Sequence, residues 1–172
     1  MKSFIVIILT LLLVNGTCEA GQSIEDLLPN DTDLSGWLRE GEIYIARDGQ
    51  ALMQYMNGAA PFYIERGNIE ALFQDYRRGN DLLTLEIFLQ KDLDSAKRLY
   101  GDVTLTGAKL LPYLGTEARW SEEFINTTVI EFWQDVFFVR LTSGRGSPDS
   151  TEAIMALARK VSENIRTIIQ TK

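Results

Sequence analysis

Polar and apolar residues alternate most regularly in the middle of the chain. Between Leu83 and Leu89 every second residue is apolar, which is the period of a β-strand with one buried face. Residues 69–77 form a second β-type segment, and Gly79-Asn80 between the two segments favours a two-residue hairpin turn. A turn at these residues predicts the cross-strand pairs Tyr76–Leu83, Gln74–Leu85, Leu72–Ile87 and Glu70–Leu89.

The opposite face of this predicted hairpin has a mixed composition. It combines charged, hydroxyl and aromatic side chains, so we expect it to be the more exposed of the two faces. The residues on this face are Ala71, Phe73, Asp75, Thr84, Glu86 and Phe88.

A second hairpin is predicted from residues 127–133 and 136–143, with its turn at Gln134-Asp135. That turn pairs Phe132 with Phe137 and Ile130 with Val139, and it places Glu131 diagonal to Arg140. Further strand candidates are residues 42–47, 108–114 and 117–120.

A helical period dominates the C-terminal segment. Apolar residues recur there every three or four positions after Ser147-Pro148-Asp149, which offers a helix cap and a proline for the first turn. The apolar stripe consists of Ile154, Leu157, Val161, Ile165 and Ile168.

Three shorter helices are predicted upstream. Asp48 caps the first, which Asn57-Gly58 ends with Gly58 as its C′ residue. The second carries Pro61 in its first turn and ends near Gly67, and the third runs from Asp92 to about Gly101. Because the strands form hairpins instead of alternating with helices, we predict an α+β fold: a mainly antiparallel sheet of hairpins, in two layers, with the C-terminal amphipathic helix packed on the sheet.

The N-terminus has the pattern of a secretory signal peptide. Lys2 precedes an apolar run from Phe4 to Val14, and Cys18-Glu19-Ala20 fits a cleavage pattern of small residues. We therefore predict a signal peptide at 1–20, a polar lead-in segment at 21–35, a single α+β domain at 36–172, and a periplasmic or extracellular location. A membrane anchor or a buried strand is the alternative for this run. Lipidation of Cys18 would anchor the protein to a membrane, but Asn15 matches that motif poorly.

Composition narrows the chemistry. The 172 residues include no histidine and one cysteine, which excludes Ser-His-Asp and Cys-His catalysis and zinc sites built on His or paired Cys. The net charge of -7 disfavours nucleic-acid binding, which needs clustered Lys and Arg. We expect no cofactor and no metal.

Several features are candidates for ligand binding, each with a structural alternative. The corner Asn57-Gly58-Ala59-Ala60, followed by Tyr63, could admit a ligand or pack tightly between two helices. Arg145, between Gly144 and Gly146, could hold an anion or lie in a flexible connection. Trp37, Trp120 and Trp133 could form a sugar platform or belong to the core. The predicted ligand-binding residues are Asn57, Gly58, Ala59, Ala60, Tyr63, Trp37, Trp120 and Arg145.

One stretch resembles an uncharacterised family of exported bacterial proteins. The resemblance covers most of the mature chain, is strongest from Gly36 to Tyr100, and implies export and a shared fold but no reaction. It is carried by Leu27-Leu28-Pro29, Gly36-Trp37, Gly41-Glu42, Leu52-Met53-Gln54-Tyr55-Met56-Asn57-Gly58-Ala59-Ala60 with Tyr63, Tyr76, Leu83-Thr84-Leu85-Glu86-Ile87 and Asp94-Ser95-Ala96.

Three functions follow as hypotheses. The first is an exported non-catalytic envelope domain that binds a partner protein or a small ligand. The second is a carboxylate-dependent hydrolase of extracellular or cell-wall sugar, which needs two carboxylates in one cleft, one with a raised pKa, beside an aromatic wall. The third is a carrier with an enclosed cavity for an apolar ligand.

Overall fold

The structure is a computed structural model that describes residues 23–30, 32–122, 127–144 and 148–171. The predicted signal peptide, including Cys18, lies outside these residues. Within them, seven strands form one antiparallel sheet in the order β1-β2-β3-β7-β6-β5-β4. The strands are β1 (Leu38–Ala46), β2 (Asn68–Arg78), β3 (Asp81–Gln90), β4 (Lys109–Leu110), β5 (Glu117–Ser121), β6 (Thr127–Gln134) and β7 (Phe137–Gly144).

The helices lie mainly in the connections between these hairpins. Asp48 and Asp92 cap α1 (Gly49–Met56) and α3 (Leu93–Asp102) by accepting hydrogen bonds from the amides of Ala51 and Ser95. Pro61 lies in the first turn of α2 (Ala60–Glu65), as predicted. None of the helices in the described ranges has the length and apolar character needed to cross a membrane. The α-helices are α1 (Gly49–Met56), α2 (Ala60–Glu65), α3 (Leu93–Asp102) and α4 (Pro148–Gln170).

The β2–β3 hairpin has the predicted register. All four predicted pairs are present, from Glu70 opposite Leu89 to Tyr76 opposite Leu83. Gly79 has φ +60°, the left-handed backbone that the first position of a type II′ turn requires. The central hairpin is therefore specified by its own alternation and turn residues.

The register predicted for the β6–β7 hairpin was wrong by two residues. Phe132 pairs with Val139 instead of Phe137, Ile130 pairs with Leu141, and the turn falls on Asp135 and Val136. Gln134 remains in the strand because its side chain exchanges hydrogen bonds with Ser162 of α4, of 3.1 Å and 2.6 Å. A shift of two residues leaves every side chain on its predicted face.

The sheet has a hydrophobic core on each face. One core lies under α4 and includes the apolar stripe of β3, from Leu83 to Ile87. The residues before β1 also contribute to it, with Leu27 completely buried. The second core lies under α1, α2 and α3, where Phe73 and Phe88 are 2% and 0% exposed.

The mixed face of the β2–β3 hairpin was expected to be the more exposed one. This expectation was wrong for the half of that face that carries Ala71, Phe73 and Phe88. Three short helices, each with a small apolar face, together cover Ala71, Phe73 and Phe88. Helices pack on both faces of the sheet. The sequence predicted two layers, with helical packing by the C-terminal helix on the sheet. The α+β class, the antiparallel sheet and the C-terminal helix on it are confirmed.

Candidate functional site

The predicted ligand-binding residues lie in separate parts of the molecule. Asn57, Gly58 and Ala59 form an exposed single turn of 3-10 helix between α1 and α2. Asn57 takes the positive φ expected for Gly58, with φ 51° and ψ -125°. A Cβ at Gly58 would meet no atom within 4 Å, so the tight packing considered for this corner does not occur at that position. The six residues of α2 provide only a weak helix dipole for an anion.

Ala60 and Tyr63, one turn apart on α2, are buried against the sheet. The ring of Tyr63 stacks on Phe88 with a centroid distance of 4.3 Å and an interplanar angle of 8°. Its hydroxyl accepts a 3.0 Å hydrogen bond from Nη1 of Arg140. Burial raises the pKa of Tyr63, and Arg140 opposes this shift.

The three tryptophans do not form one platform. Trp37 belongs to the core under α4, whereas Trp133 belongs to the core on the other face. Trp120 packs against the α4 core from β5, about five strand spacings or roughly 24 Å from β1, which follows Trp37. Arg145 lies outside the described residues.

Four charged side chains lie in register across four neighbouring strands on the α1–α3 face. Glu86 of β3 is opposite Arg140 of β7, Arg140 is opposite Glu131 of β6, and Glu131 is opposite Arg119 of β5. We call Glu86, Arg140, Glu131 and Arg119 the charge row. Opposite charges at neighbouring positions stabilise the pairing of all four strands.

Glu131 is the most buried member of the charge row, with 1% of its side chain exposed. Its Oε1 lies 2.8 Å from both Nε and Nη2 of Arg140. Its Oε2 accepts a hydrogen bond from Nε of Arg119 at 2.8 Å and lies 2.7 Å from Nη2 of the same guanidinium. Arg119 also donates to the carbonyls of Tyr100 and Val103 at the end of α3. These contacts occupy both carboxylate oxygens of Glu131, so we assign Glu131 a structural role.

Glu86, at the end of the charge row, is held more loosely. Its nearest ion-pair contact is Arg140 Nη1 at 3.9 Å, and 18% of its side chain is exposed. Burial raises the pKa of the Glu86 carboxyl above its ordinary value of 4.5, Arg140 opposes the shift, and Glu131 and Asp75 add to it. Glu86 therefore holds its proton more tightly than an ordinary glutamate carboxyl does.

An aromatic stack borders Glu86. Tyr55 of α1 lies 4.1 Å from Phe73 and 4.5 Å from Tyr44 between ring centroids, and 45% of Tyr55 is exposed. Burial raises the pKa of Tyr55, with contributions from Asp75 and Glu86. Asp75 accepts a 2.7 Å hydrogen bond from Thr84. Tyr55, Asp75 and Glu86 therefore form a polar cluster on a half-exposed part of the sheet.

A cleft of about 380 Å³ lies at the other face of the sheet. The residues before β1, the end of β2 and the first turns of α4 surround it, and we call it the Trp37 cleft. The lining residues with polar or aromatic side chains are Asp33, Ser35, Trp37, Arg78, Asp149 and Glu152.

Two ion pairs shape the Trp37 cleft. Asp33 accepts from the amide of Asn30 at 2.8 Å and lies 3.2 Å from Nζ of Lys160, and both contacts lower the pKa of Asp33. Nη2 of Arg78 lies 3.1 Å from Asp149 Oδ2. The described residues provide no ion-pair or hydrogen-bond partner for Glu152.

Trp37 forms a buried part of the lining, with 2% of the residue exposed. The Arg78 guanidinium carbon lies 5.1 Å from its ring centroid, a cation–π distance. The indole Nε1 of Trp37 is buried and has no hydrogen-bond partner in the part of the chain that the structure describes. Gly36, with φ +75°, leaves room for Arg78, since a Cβ there would lie 3.3 Å from Arg78 Cδ.

Trp37 was predicted as a ligand-binding residue from the sequence, but the charged residues around it were not. Asp33, Arg78 and the helical pair Asp149 and Glu152 come from three segments that are far apart in sequence, and no local spacing links these segments. The face shared by Asp75 and Glu86 was predicted from the hairpin, but Tyr55 was missed because it comes from α1. Among the described residues, no group of three or more His, Cys, Asp or Glu side chains is placed to hold a metal ion.

Comparison with known proteins gives one informative result. No family model and no curated protein matches this sequence. A solved structure similar to this chain is the extracellular domain of PknH from Mycobacterium tuberculosis, with a TM-score of 0.50 and 12% sequence identity. The match covers 81% of this chain and 94% of that domain. At this identity the two proteins share a fold, and function must be argued from the sites of this chain.

Proposed function

We propose that this chain is an exported, non-catalytic domain that binds a small polar ligand in the Trp37 cleft. The cleft itself carries this proposal. Its volume of about 380 Å³ lies within the usual range of ligand pockets, and it combines a buried aromatic ring with charged groups from three separate segments.

Export is supported by two observations. The N-terminal pattern is that of a signal peptide. The similar solved structure is an extracellular domain. To test export, the full 172-residue chain would be expressed in a bacterial host and its cellular fractions analysed by mass spectrometry. We expect a chain that begins at Gly21 outside the cytosol; an intact Met1 in the cytosol contradicts export.

Binding in the cleft can be tested by NMR. Small polar compounds would be added to the isotope-labelled protein, purified after expression of the full chain. We expect amide shifts at residues 33–37, at Arg78 and in the first turns of α4. Ala156→Leu, in the cleft lining, should weaken binding at least tenfold, whereas Thr167→Leu on the exposed part of α4 should not. If no compound shifts the cleft residues, or if Ala156→Leu has no effect, the proposal fails.

The hydrolase alternative is favoured by one specific observation. Glu86 has a raised pKa, Asp75 shares its face of the sheet, and Tyr55 provides an aromatic wall. Release of nitrophenol from a panel of nitrophenyl glycosides would test it. Activity that is lost in Glu86→Gln and retained in the exposed control Glu117→Gln supports hydrolysis. No activity, or activity that survives Glu86→Gln, removes this alternative.

The observations do not favour an apolar-ligand carrier. Beneath α4 the core is filled by buried side chains, among which Leu85, Ile130 and Leu157 have 0% exposure. The Trp37 cleft is bordered by charged groups, whose desolvation by an apolar ligand is unfavourable.

A further inference from the structure

We infer that the Trp37 cleft takes a small organic cation, an amine or a guanidine, and that the guanidinium of Arg78 stands where the cationic group of the ligand binds. This inference rests on the binding function proposed above and specifies the class of ligand.

The charges around the cleft favour a cation. Among the residues that the structure describes, Asp33, Asp149 and Glu152 line it, with Arg78 as the one lining cation. When Lys160, which pairs with Asp33, is included, these three carboxylates face two cations, so the described charges sum to one net negative charge. An anionic ligand would meet these carboxylates at close range, and that repulsion selects against it.

Glu152 is the carboxylate that accounts for the net negative charge of the cleft. Asp33 is neutralised by Lys160, and Asp149 is paired with Arg78. Glu152 has no ion-pair partner among the described residues, although it borders the same cleft. A ligand cation would therefore gain a new partner in Glu152 as well as the partner that Arg78 now has.

The indole ring of Trp37 provides a surface for a cation. A cation within about 6 Å of an indole ring centroid is attracted to the ring face. The Arg78 guanidinium carbon lies 5.1 Å from that centroid. The ring therefore already interacts with a planar cation from within the chain.

Arg78 is an occupant that a ligand can displace. It is the last residue of β2, next to the Gly79-Asn80 turn, and 35% of its side chain is exposed. Its partner Asp149 is 75% exposed, and ion pairs between exposed groups contribute little free energy. Arg78 can thus rotate into solvent while a ligand cation takes its contacts with Trp37 and Asp149.

The buried indole N–H of Trp37 provides a spectroscopic probe of the cleft. Its ring lies in the cleft lining, so a ligand bound against the ring shifts this resonance. N-acetyl-arginine amide carries the planar cationic group that the inference requires, and N-acetyl-citrulline amide is its neutral isostere.

The test compares these two probes with N-acetyl-glutamate amide, which is anionic. Binding is measured from the Trp37 indole N–H resonance, assigned with Trp37→Phe. Because Asp149 and Glu152 are both exposed, each adds little to the binding of a cation, so the arginine probe should bind several-fold more tightly than the citrulline probe, and added salt should weaken its binding. The glutamate probe should not shift this resonance.

Three variants locate the cation. Arg78→Gln removes the internal competitor and should raise the affinity for the arginine probe several-fold. Glu152→Gln, at a residue without an internal partner, should lower the affinity several-fold. Arg77→Gln is the matched control, because Arg77 pairs with Glu40 of β1 and does not line the cleft.

The outcomes separate this inference from the proposed function. If the citrulline or glutamate probe shifts Trp37 as strongly as the arginine probe, the cleft binds ligands but the cation inference is wrong. If Arg78→Gln weakens binding of the arginine probe, Arg78 is a ligand-binding residue and not a competitor, which also overturns the inference. If neither these probes nor the compounds tested above shift cleft resonances, both proposals fail.

Discussion

Glu131 and Arg140 lie directly opposite each other on β6 and β7, and Oε1 of Glu131 is 2.8 Å from both Nε and Nη2 of Arg140. Arg119 pairs with the other carboxylate oxygen of Glu131. Through Tyr63 and the end of α3, the two arginines tie this buried carboxylate to the helices on the same face. One carboxylate thus links the sheet to two helices.

Glu131→Gln should strongly destabilise the protein. The substitution leaves two largely buried arginines without their shared anion, and breaking a buried ion pair on one side costs about 3–5 kcal/mol. Urea denaturation measures the loss. Glu117→Gln, on the same sheet but exposed, should change stability by less than about 0.5 kcal/mol. A loss below about 1 kcal/mol for Glu131→Gln would contradict the structural role assigned to it.

Glu86→Gln should change the pH dependence of stability. Because the pKa of Glu86 is raised in the folded state, the folded protein binds this proton more tightly than the unfolded chain does. The resulting stabilisation is fully present below the ordinary pKa of 4.5 and is lost as the pH rises through the raised value. The stability of Glu86→Gln relative to wild type should therefore increase from pH 4 to pH 7. Urea midpoints at both pH values measure this, and a constant difference would refute the shift.

Two glycines with nearly the same φ should differ in their tolerance of alanine. Gly115 and Gly79 have φ of +59° and +60°. A Cβ at Gly115 would lie 2.8 Å from the carbonyl oxygen of Trp133 and 2.9 Å from Cδ2 of Phe132, whereas a Cβ at Gly79 meets nothing within 4 Å. Gly79→Ala should cost only the left-handed backbone term of about 1–2 kcal/mol.

Gly115→Ala should cost that amount and a further 1–3 kcal/mol or so for overpacking. Because both glycines have a positive φ, the larger loss in Gly115→Ala reports the steric contact with β6. Thermal or urea denaturation measures both losses, and equal losses would show that the approach of Gly115 to β6 is not tight.

Asn57→Gly should stabilise the protein. Asn57 adopts φ 51° and ψ -125°, a conformation that is costly for residues other than glycine. Relief of that strain, less the greater entropy of glycine in the unfolded chain, should give a gain of about 1 kcal/mol. Asn80→Gly is the control, because Asn80 lacks a positive φ and should lose stability or remain unchanged. Equal effects in the two variants would mean that Asn57 is unstrained.

The sequence by itself determined the local elements. The alternation from Leu83 to Leu89 and the Gly79-Asn80 turn specified the β2–β3 register, and Asp48 and Asp92 specified two helix starts. These features are local: a strand period, a turn conformation and a cap each depend on residues within a few positions of one another. The same register placed Asp75 and Glu86 on one face.

Only the tertiary structure decided the rest. The β6–β7 turn depends on Gln134 bonding Ser162, and the burial of Phe88 depends on Tyr63 packing over it from α2. The Trp37 cleft likewise brings Asp33, Arg78 and Glu152 together from three segments. Sequence patterns carry no distance information between such segments, because folding of the whole chain creates these contacts and the charges and cavity that follow from them.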